Sequence, residues 1–373
     1  MVEIKEIVTR REIKEFIKFP EKLYRDEPNW VPEIFMDEMN NLDRKKNPAF
    51  DYCEAKYFMA YRDGESVGRI AAILSHKANE TWKQNRMRFS RVDFIDDDEV
   101  VDALFNAVES WAREKGCDEV HGPIGFCDLD KEGMLVEGFD HPSLFITLYH
   151  FPYYLKQLTR CGYAKDVDWV EYRVFVPKEL DPKLERISDI VLRRQKLTLF
   201  HYENKKQLKP IIKDVFRLIN EAYHALYGVV ALSERQISHY TSQYLPFVQP
   251  EFLTLVMDKE NKLCAFGLMV PSMGEAVRKA RGRFLPFGWI YLLKALRARK
   301  VLDMLLVAIR PSMQNMGIDA VIMTEMIRSA HACGVEYAET GPELESNIKV
   351  QGLWKNFETV QHKRRRCFLK KLD

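Results

Sequence analysis

Apolar positions change period repeatedly along the chain, and each change marks an element. Residues 2–8 (VEIKEIV) alternate charged with apolar side chains, which predicts a half-buried strand. Ile13, Phe16, Ile17 and Leu23 then recur at helical spacing. Residues 26–50 are rich in Pro, Asn and Asp and read as a long ordered loop. Strands over 55–62 and 66–75 meet at Asp63-Gly64, a dipeptide that supplies the positive φ of a tight hairpin. A strand over 88–94 and a helix over 99–115 follow. The IDDD before that helix suits its cap and dipole, and would repel a phosphate.

The densest succession of elements lies at residues 305–359. LLVAIRP predicts a buried strand stopped by Pro311, and the loop SMQNMG follows. Ile318, Val321, Ile322, Met326, Ile327 and Ala330 then keep a helical period until Gly334. A strand is expected over 335–342 and a helix over 347–357. Gly317 therefore falls where the chain turns into a helix N-terminus, whose free N–H groups and dipole can hold a pyrophosphate without a basic side chain.

A longer pattern joins the two halves. ESWAREKGCDEVHGP and IRSAHACGVEYAETGP both run from helix through Gly into a strand ending at Gly-Pro. After each come a loop, an aromatic helix (151–160; 352–357) and a closing strand (168–176; 364–370). A period near half the chain predicts two copies of one α/β unit rather than a solenoid. Expected domains are 1–180 and 181–373, joined near 177–182, with a bridging helix over 183–196, a strand over 197–203 and a helix over 207–227.

Composition narrows the function classes. A chain of 373 residues with 46% apolar and 30% charged residues can bury two globular cores. A net charge of +2 argues against an extended nucleic-acid surface. Seven cysteines without a C-x-x-C pair fit a reducing compartment, and Cys333 beside Gly334 reads as structural. No histidine pair has metal-site spacing, so no metal is expected. With no signal peptide and no apolar run of about 20 residues, a cytoplasmic location is expected.

Gln314 and Gly317 resemble the acyl-CoA loop Q/R-x-x-G-x-G/A of the GCN5-related N-acyltransferases (GNATs), with Asp319 on the last small position. Asn347, Leu353 and Trp354 fall on the Asn, Leu and Tyr places of a second motif, N-x-x-A-x-x-L-Y-x-x-x-G-F. Val350 takes its small apolar place, while Glu358 and Thr359 replace Gly-Phe. Trp354 stands where the family has its usual proton donor, and an indole N–H is no acid near neutral pH. NPAF, DGESVGRIAAI, LVEGFDHPS, YHFPYY and KRRRCFLKK extend the resemblance over nearly the whole chain, to the YghO-like, bacterial ceramide-synthase-like group of tandem acyltransferases. That group usually has Asn where His150 stands. The resemblance implies a tandem pair of GNAT-like mixed-sheet α/β domains, the first degenerate. It implies an acyl-CoA or acyl-carrier-protein thioester as donor and a primary amine, of long-chain or lipid-like character, as acceptor. Ile309, Arg310, Ser312, Gln314, Asn315, Met316, Gly317, Ile318, Asn347 and Trp354 would contact the donor.

Amide formation from a thioester needs a neutral amine, hydrogen bonds to an oxyanion and a route for the amine's proton. Base candidates are Glu339, Glu343 and Glu345, at or just past the strand opposite the loop. Glu339 reads equally as a strand surface charge, and Glu345 and Asn347 as the acid and cap of a helix start. Among the histidines, His150 beside Tyr153 and Tyr154 is the one to test. The acceptor pocket is expected between the repeats, lined by Glu343, Glu345, Asn347, His150 and Tyr154.

Two stretches keep alternatives open. Residues 278–300 set eight large apolar side chains within ten positions, Phe284 to Leu293, among arginines and lysines without an acid. This is either a buried helix with a basic end or an acyl-chain groove or interfacial helix touching the inner membrane. HKRRR (362–366) reads as a solvated strand edge. Two function classes result. Gln314, Gly317 and Asn347 favour an N-acyltransferase whose second domain holds the donor. Trp354, Glu358 and the missing first-half loop favour a non-catalytic acyl-CoA- or lipid-binding regulator.

Overall fold

Apart from two additional helices in the second, α6 (Pro182–Gln195) and α10 (Gly288–Ala298), both halves of the chain pass through the same series of elements. A computed structural model describes residues 1–202 and 205–373; Glu203, at the end of the strand expected over 197–203, lies outside the described residues. The first half contains β1 (Glu3–Glu6), α1 (Arg10–Leu23), α2 (Phe35–Asn41), β2 (Cys53–Arg62), β3 (Glu65–Ser75), α3 (His76–Trp82), β4 (Arg86–Phe94), α4 (Asp98–Glu114), β5 (Glu119–Gly122), β6 (Met134–Glu137), α5 (Tyr153–Arg160) and β7 (Ala164–Phe175). The second contains α6 (Pro182–Gln195), β8 (Thr198–Leu199), α7 (Lys205–Tyr223), α8 (Glu234–Tyr244), β9 (Leu253–Met257), β10 (Leu263–Pro271), α9 (Gly274–Lys279), α10 (Gly288–Ala298), β11 (Val301–Ile309), α11 (Ile318–Cys333), β12 (Tyr337–Thr340), β13 (Glu343–Leu344), α12 (Ile348–Gln351) and β14 (Thr359–Lys371). Among the described residues no helix is long and apolar enough to cross a membrane.

Local chemistry explains many of these boundaries. Thr9 and Glu12 form a reciprocal capping box at α1. Asp63 (φ 51°) and Gly64 (φ 80°) make the two-residue turn between β2 and β3. Asp97 caps α4 by accepting the Val100 N–H. The expected loop over 26–50 instead contains α2 and a 3-10 turn, Pro48–Asp51. The α2 pattern reads as polar because its buried residue is Glu38, which pairs with Arg91.

The chain forms two compact units from interleaved segments: Met1–Val170 with Met273–Leu292 and His362–Asp373, and Glu171–Ser272 with Leu293–Gln361. In the first, β1, β2, β3 and β4 pair antiparallel in turn, β4 pairs parallel with β5, and β5 pairs antiparallel with β14. Ile70, Ala72 and Leu74 of β3 face a core with Leu104, Phe105 and Val108 of α4. Ala71 and Ile73 face Phe16, Ile17 and Phe19 of α1, so both sheet faces are covered. In the second unit β8, β9, β10 and β11 pair antiparallel, β11 pairs parallel with β12, and β12 pairs antiparallel with the end of β7. The sequence of pairings is the same in both. Each unit's closing strand segment is thus encoded in the opposite half of the sequence.

One expectation is corrected here, and one open alternative is decided. HKRRR is no solvated edge: His362, Lys363 and Arg365 are buried, while Arg364 and Arg366 both reach Asp168. Of the two alternatives for residues 278–300, the buried helix is not what forms: Leu285 (82% exposed) and Phe287 (69% exposed) lie in the loop before α10, and Trp289, Tyr291 and Leu293 on α10 are exposed as well.

Candidate functional site

In the second unit β11 and β12 stay paired only from Val301–Tyr337 to Met304–Thr340, although β11 continues to Ile309. The strands part at an extra residue, Leu305, which β10 passes over between Leu268 and Met269. Beyond it, Leu305, Leu306 and Val307 are half-buried, and the Tyr223 hydroxyl donates to the Val307 carbonyl. Arg310 anchors the end of the strand by donating to Asp258 and to the Leu263 carbonyl. Gln314 donates from Nε2 to the Ile309 carbonyl at 3.4 Å, and Ser312 lies in a 3-10 turn.

The loop then enters the left-handed region at Asn315 (φ 62°) and Gly317 (φ 81°), and α11 begins without a side-chain cap. In its first turn the Ala320 N–H donates to the Gly317 carbonyl, and exposed Met316 and buried Ile318 flank the glycine. A Cβ on Gly317 would lie 2.9 Å from Val191 Cγ2, so the cradle needs glycine for space as well as for φ. These features fit a pyrophosphate, although Asp319 in the first turn has the wrong charge for one.

Past β12 the chain doubles back through β13, and Glu343 turns inward. The Trp354 indole Nε1–H donates to both Glu343 oxygens, at 3.0 and 3.1 Å. Burial pushes the Glu343 carboxyl up to about 7, against the pull of that hydrogen bond. Glu345 is exposed, and Asn347 is the N-cap of α12, accepting from the Val350 N–H. Glu339 pairs with Arg173 at 2.7 Å within the sheet. The expected helix over 347–357 is one α turn followed by a 3-10 turn, Gly352–Asn356, which places Trp354 in the core. On the α11 side of the same sheet, a cavity is lined by Met269, Met304, Met323, Met326, Ile327 and Phe357, all apolar.

In the first unit the corresponding strands also part. β4 and β5 pair only from Arg86–Glu119 to Arg88–His121. Here the chain itself occupies the edge that is left. The Phe94 N–H donates to Tyr154 Oη, the Tyr153 hydroxyl donates to the Phe94 carbonyl, and the Tyr154 ring stacks on Phe94 at 4.1 Å. At the start of α4, Asp96 and Asp98 accept from Gln157 Nε2. Tyr154 and Tyr24 share a hydrogen bond, and Tyr24 donates to Asp93, which also accepts from Arg69 Nε at 2.7 Å. His150 accepts the Leu135 N–H at Nδ1, and burial, with Arg365 and Arg69 nearby, lowers it to about 3. His150 and Tyr154 therefore belong to the first unit's core; Glu343, Glu345, Asn347 and Trp354 belong to the second unit.

Sequence reasoning missed a charged cavity in the first unit, lined by Arg69, Asp93, Glu33, Lys131, Trp30 and Tyr149. It holds about 30 Å³, room for about two waters. Glu33 Oε2 and Lys131 Nζ are buried without a hydrogen-bond partner among the described residues. Burial, then Glu38, raises the Glu33 carboxyl, and burial lowers the Lys131 amine. Deeper in the loop, burial raises Asp128 to about 6 and holds Glu132 well above the usual carboxylate range. The available signal was the charge of Arg69, Arg91 and Asp93 on strands whose neighbours are apolar on both faces. His121, Asp166 and Cys367 bring three ligand atoms within 4.8 Å of one another. Arg86, however, donates to Asp166, and the charges of Arg88 and Arg86 reach His121, a poor setting for a cation.

No family model matches the chain. Protein YghO of Escherichia coli K12 is 27% identical over 378 residues, covering 99% of this chain and 95% of that protein. The bacterial ceramide synthase of Caulobacter vibrioides is 28% identical over 304 residues, covering 79% of this chain and 76% of that protein. Among solved structures, a tandem GNAT protein from the clavulanic acid biosynthesis pathway matches with a TM-score of 0.56 at 11% identity, over 100% of this chain and 98% of its own. That likeness is one of fold.

Proposed function

We propose that this protein, tandem GNAT-like in its fold and its homologues, is an N-acyltransferase whose second unit moves an acyl group from a thioester to a primary amine. Acyl-CoA, or an acyl carrier protein, is the donor. The observation that carries the reading is Glu343, a carboxylate raised to about 7 and held by Trp354, which packs with Met304, where β11 leaves β12, and Met323 of α11. A base of that strength is matched to accepting an amine's proton near neutral pH. The donor's pyrophosphate meets the N–H groups of the first turn of α11, over Gly317, and its thioester arm follows β11 past Leu305.

The amine nitrogen attacks the thioester carbonyl, and its proton passes to Glu343, directly or through one water. Collapse breaks the C–S bond and releases the thiolate, which can recover the proton from Glu343. Trp354 keeps its own proton and fixes the carboxylate's orientation. The methionine-lined cavity, at about 30 Å³, has room for about two waters as it stands and would have to open for an acyl chain longer than acetyl, which thioether side chains permit because they repack readily around apolar ligands. The ceramide synthase homologue supports a lipid-like substrate.

Binding and turnover with acetyl-, octanoyl- and palmitoyl-CoA against a long-chain primary amine test the reading. Amide and free thiol should form in equal amounts, faster with the longer donors. Donor binding without thiol release across a panel of amines would make the protein a binding module. Trp354, in the position of the family's acid, is the residue that favours this second reading.

A further inference from the structure

Residues 278–300 carry chemistry that neither the donor loop nor Glu343 uses. Their base is tied down within the first unit. Arg283 donates to Glu21 Oε1 at 2.6 Å and lies over the Phe35 ring, the Gly282 carbonyl accepts the Phe35 N–H, and Arg278 donates to the Pro28 carbonyl. Their tip is pushed outward by a tight loop. The Trp289 N–H closes back on the Phe284 carbonyl, and a Cβ on Gly288 would lie 1.8 Å from the Arg283 carbonyl. The loop therefore presents Leu285, Pro286 and Phe287 to solvent, followed by exposed Trp289, Tyr291 and Leu293 on α10.

Exposed side chains of this size cost free energy in water unless something covers them. What surrounds them indicates what that is. Trp289, Leu293 and Arg297 recur every four residues along α10. Arg281, Lys294 and Arg297 are exposed and make no ion pair among the described residues. The stretch 278–300 holds eight basic residues and no acidic one. A second copy of the same patch would bring these cations against like charges. A protein partner's apolar face would not use them. An anionic lipid surface satisfies both parts, because tryptophan, phenylalanine and leucine enter the headgroup boundary while lysine and arginine meet phosphates.

We propose that the Leu285–Pro286–Phe287 tip and the adjoining face of α10 dock this protein on anionic membrane surfaces. The tip contributes the apolar insertion, and Arg281, Lys294 and Arg297 contribute the charge dependence. This stands apart from the acyl-transfer reading, since a docked protein need not be a transferase.

Flotation of the full chain with phosphatidylcholine vesicles, with or without phosphatidylglycerol, tests it. The wild type should float with phosphatidylglycerol vesicles, stay in solution with phosphatidylcholine alone, and detach as salt rises. Leu285→Ser with Phe287→Ser should weaken binding at least about tenfold. Arg281→Gln, Lys294→Gln and Arg297→Gln should each weaken it about fivefold at low salt. All these positions are exposed, so the melting temperature should not move and loss of binding would not be loss of fold. Equal flotation of wild type and the Leu285/Phe287 double variant would overturn the proposal. So would absence of flotation, above all if light scattering showed a wild-type dimer that the double variant abolished.

Discussion

Replacing Glu343 by Gln separates proton transfer from donor binding. The amide has the size of the carboxylate, and its oxygen can still accept the Trp354 indole N–H, so the core around Trp354 should keep its packing. What is lost is the base, whose contribution in positioned sites is about 10²–10⁴-fold in rate. The sign of the pH dependence follows from the shift. A carboxyl raised to about 7 is mostly protonated at pH 6 and mostly ionised at pH 8, so the active form is gained as pH rises. Each endpoint lies about one unit from that value, so the ionised fraction climbs from roughly 0.1 to roughly 0.9.

The amine substrate also loses a proton as pH rises, so the useful quantity is the ratio of wild-type to Glu343→Gln kcat/KM, in which the amine's titration cancels. That ratio should rise about ninefold from pH 6 to pH 8 and then level, with donor affinity unchanged. Trp354→Phe supplies the second arm. It removes a hydrogen bond worth about 1.5–3 kcal/mol to the ionised carboxylate, so the midpoint should move upward by roughly one to two units. Thiol release from acyl-CoA, followed from pH 5.5 to 9, measures all three proteins. A ratio near one, or one that stays flat with pH, would remove Glu343 as the base.

Three further outcomes are expected. Gly317→Val forces a β-branched residue to a left-handed φ and against Val191, so it should weaken CoA binding by at least tenfold in calorimetry. Adding Val191→Ala should recover only the part of the stability lost to the clash, because the φ strain remains, and should not restore affinity. Asp93→Asn removes the carboxylate hydrogen-bonded to buried Arg69, leaving it only the Glu33 carboxylate at 3.8 Å, and should cost about 3–5 kcal/mol in urea unfolding; a loss under about 1 kcal/mol would mean that the first unit does not depend on this pair. His150 is held neutral, with a folded value of about 3 against an ordinary 6.5. As pH falls below 6.5 the unfolded chain takes up a proton that the folded chain refuses, and stability drops by about 1.4 kcal/mol per unit until pH 3. His150→Asn should remove that slope, narrowing its stability deficit against wild type by about 2 kcal/mol between pH 7 and pH 5, with equal slopes as the refuting result.

Much of the scaffold was legible because it is written locally. Asp63-Gly64, the Gly-Pro repeats and the Gly334 stop act through the φ of single residues, and the helical period of residues 318–330 survives without knowledge of its neighbours. The exchange of closing strands was not legible. Nothing in residues 364–370 says that Phe368 pairs with Gly122, and a closing strand reads the same whichever unit it completes. Glu343 and Glu345 illustrate the same limit at the site. Both are acids just past a strand, and only the two-residue strand β13, with Trp354 set in a 3-10 turn, half-buries one against an indole and exposes the other. The apolar run at 284–293 is equally silent, because hydrophobicity does not distinguish a side chain that meets core from one that meets solvent.

The two copies of the repeat diverge at one place, and that divergence bears on which of them can hold a thioester. Both part their parallel strands about four residues in, at Arg88–His121 and at Met304–Thr340. In the first unit the opened edge is bonded to Tyr153 and Tyr154, and the helix beyond it starts among Asp96, Asp97 and Asp98, with Asp97 already capping it. An incoming pyrophosphate would meet three carboxylates there and have no uncapped first turn to bind. In the second unit the same junction has Gly317, no side-chain cap and a single acid, Asp319. The parting of the strands is common to both, so the choice between them rests on the helix start, where Gly317 is left-handed (φ 81°) and Asp97 extended (φ −151°), and on the side chains there. Asp319→Asn should therefore strengthen CoA binding, whereas glycine substitutions around Asp97 should leave the first unit unable to bind, because Tyr153 and Tyr154 still occupy its edge.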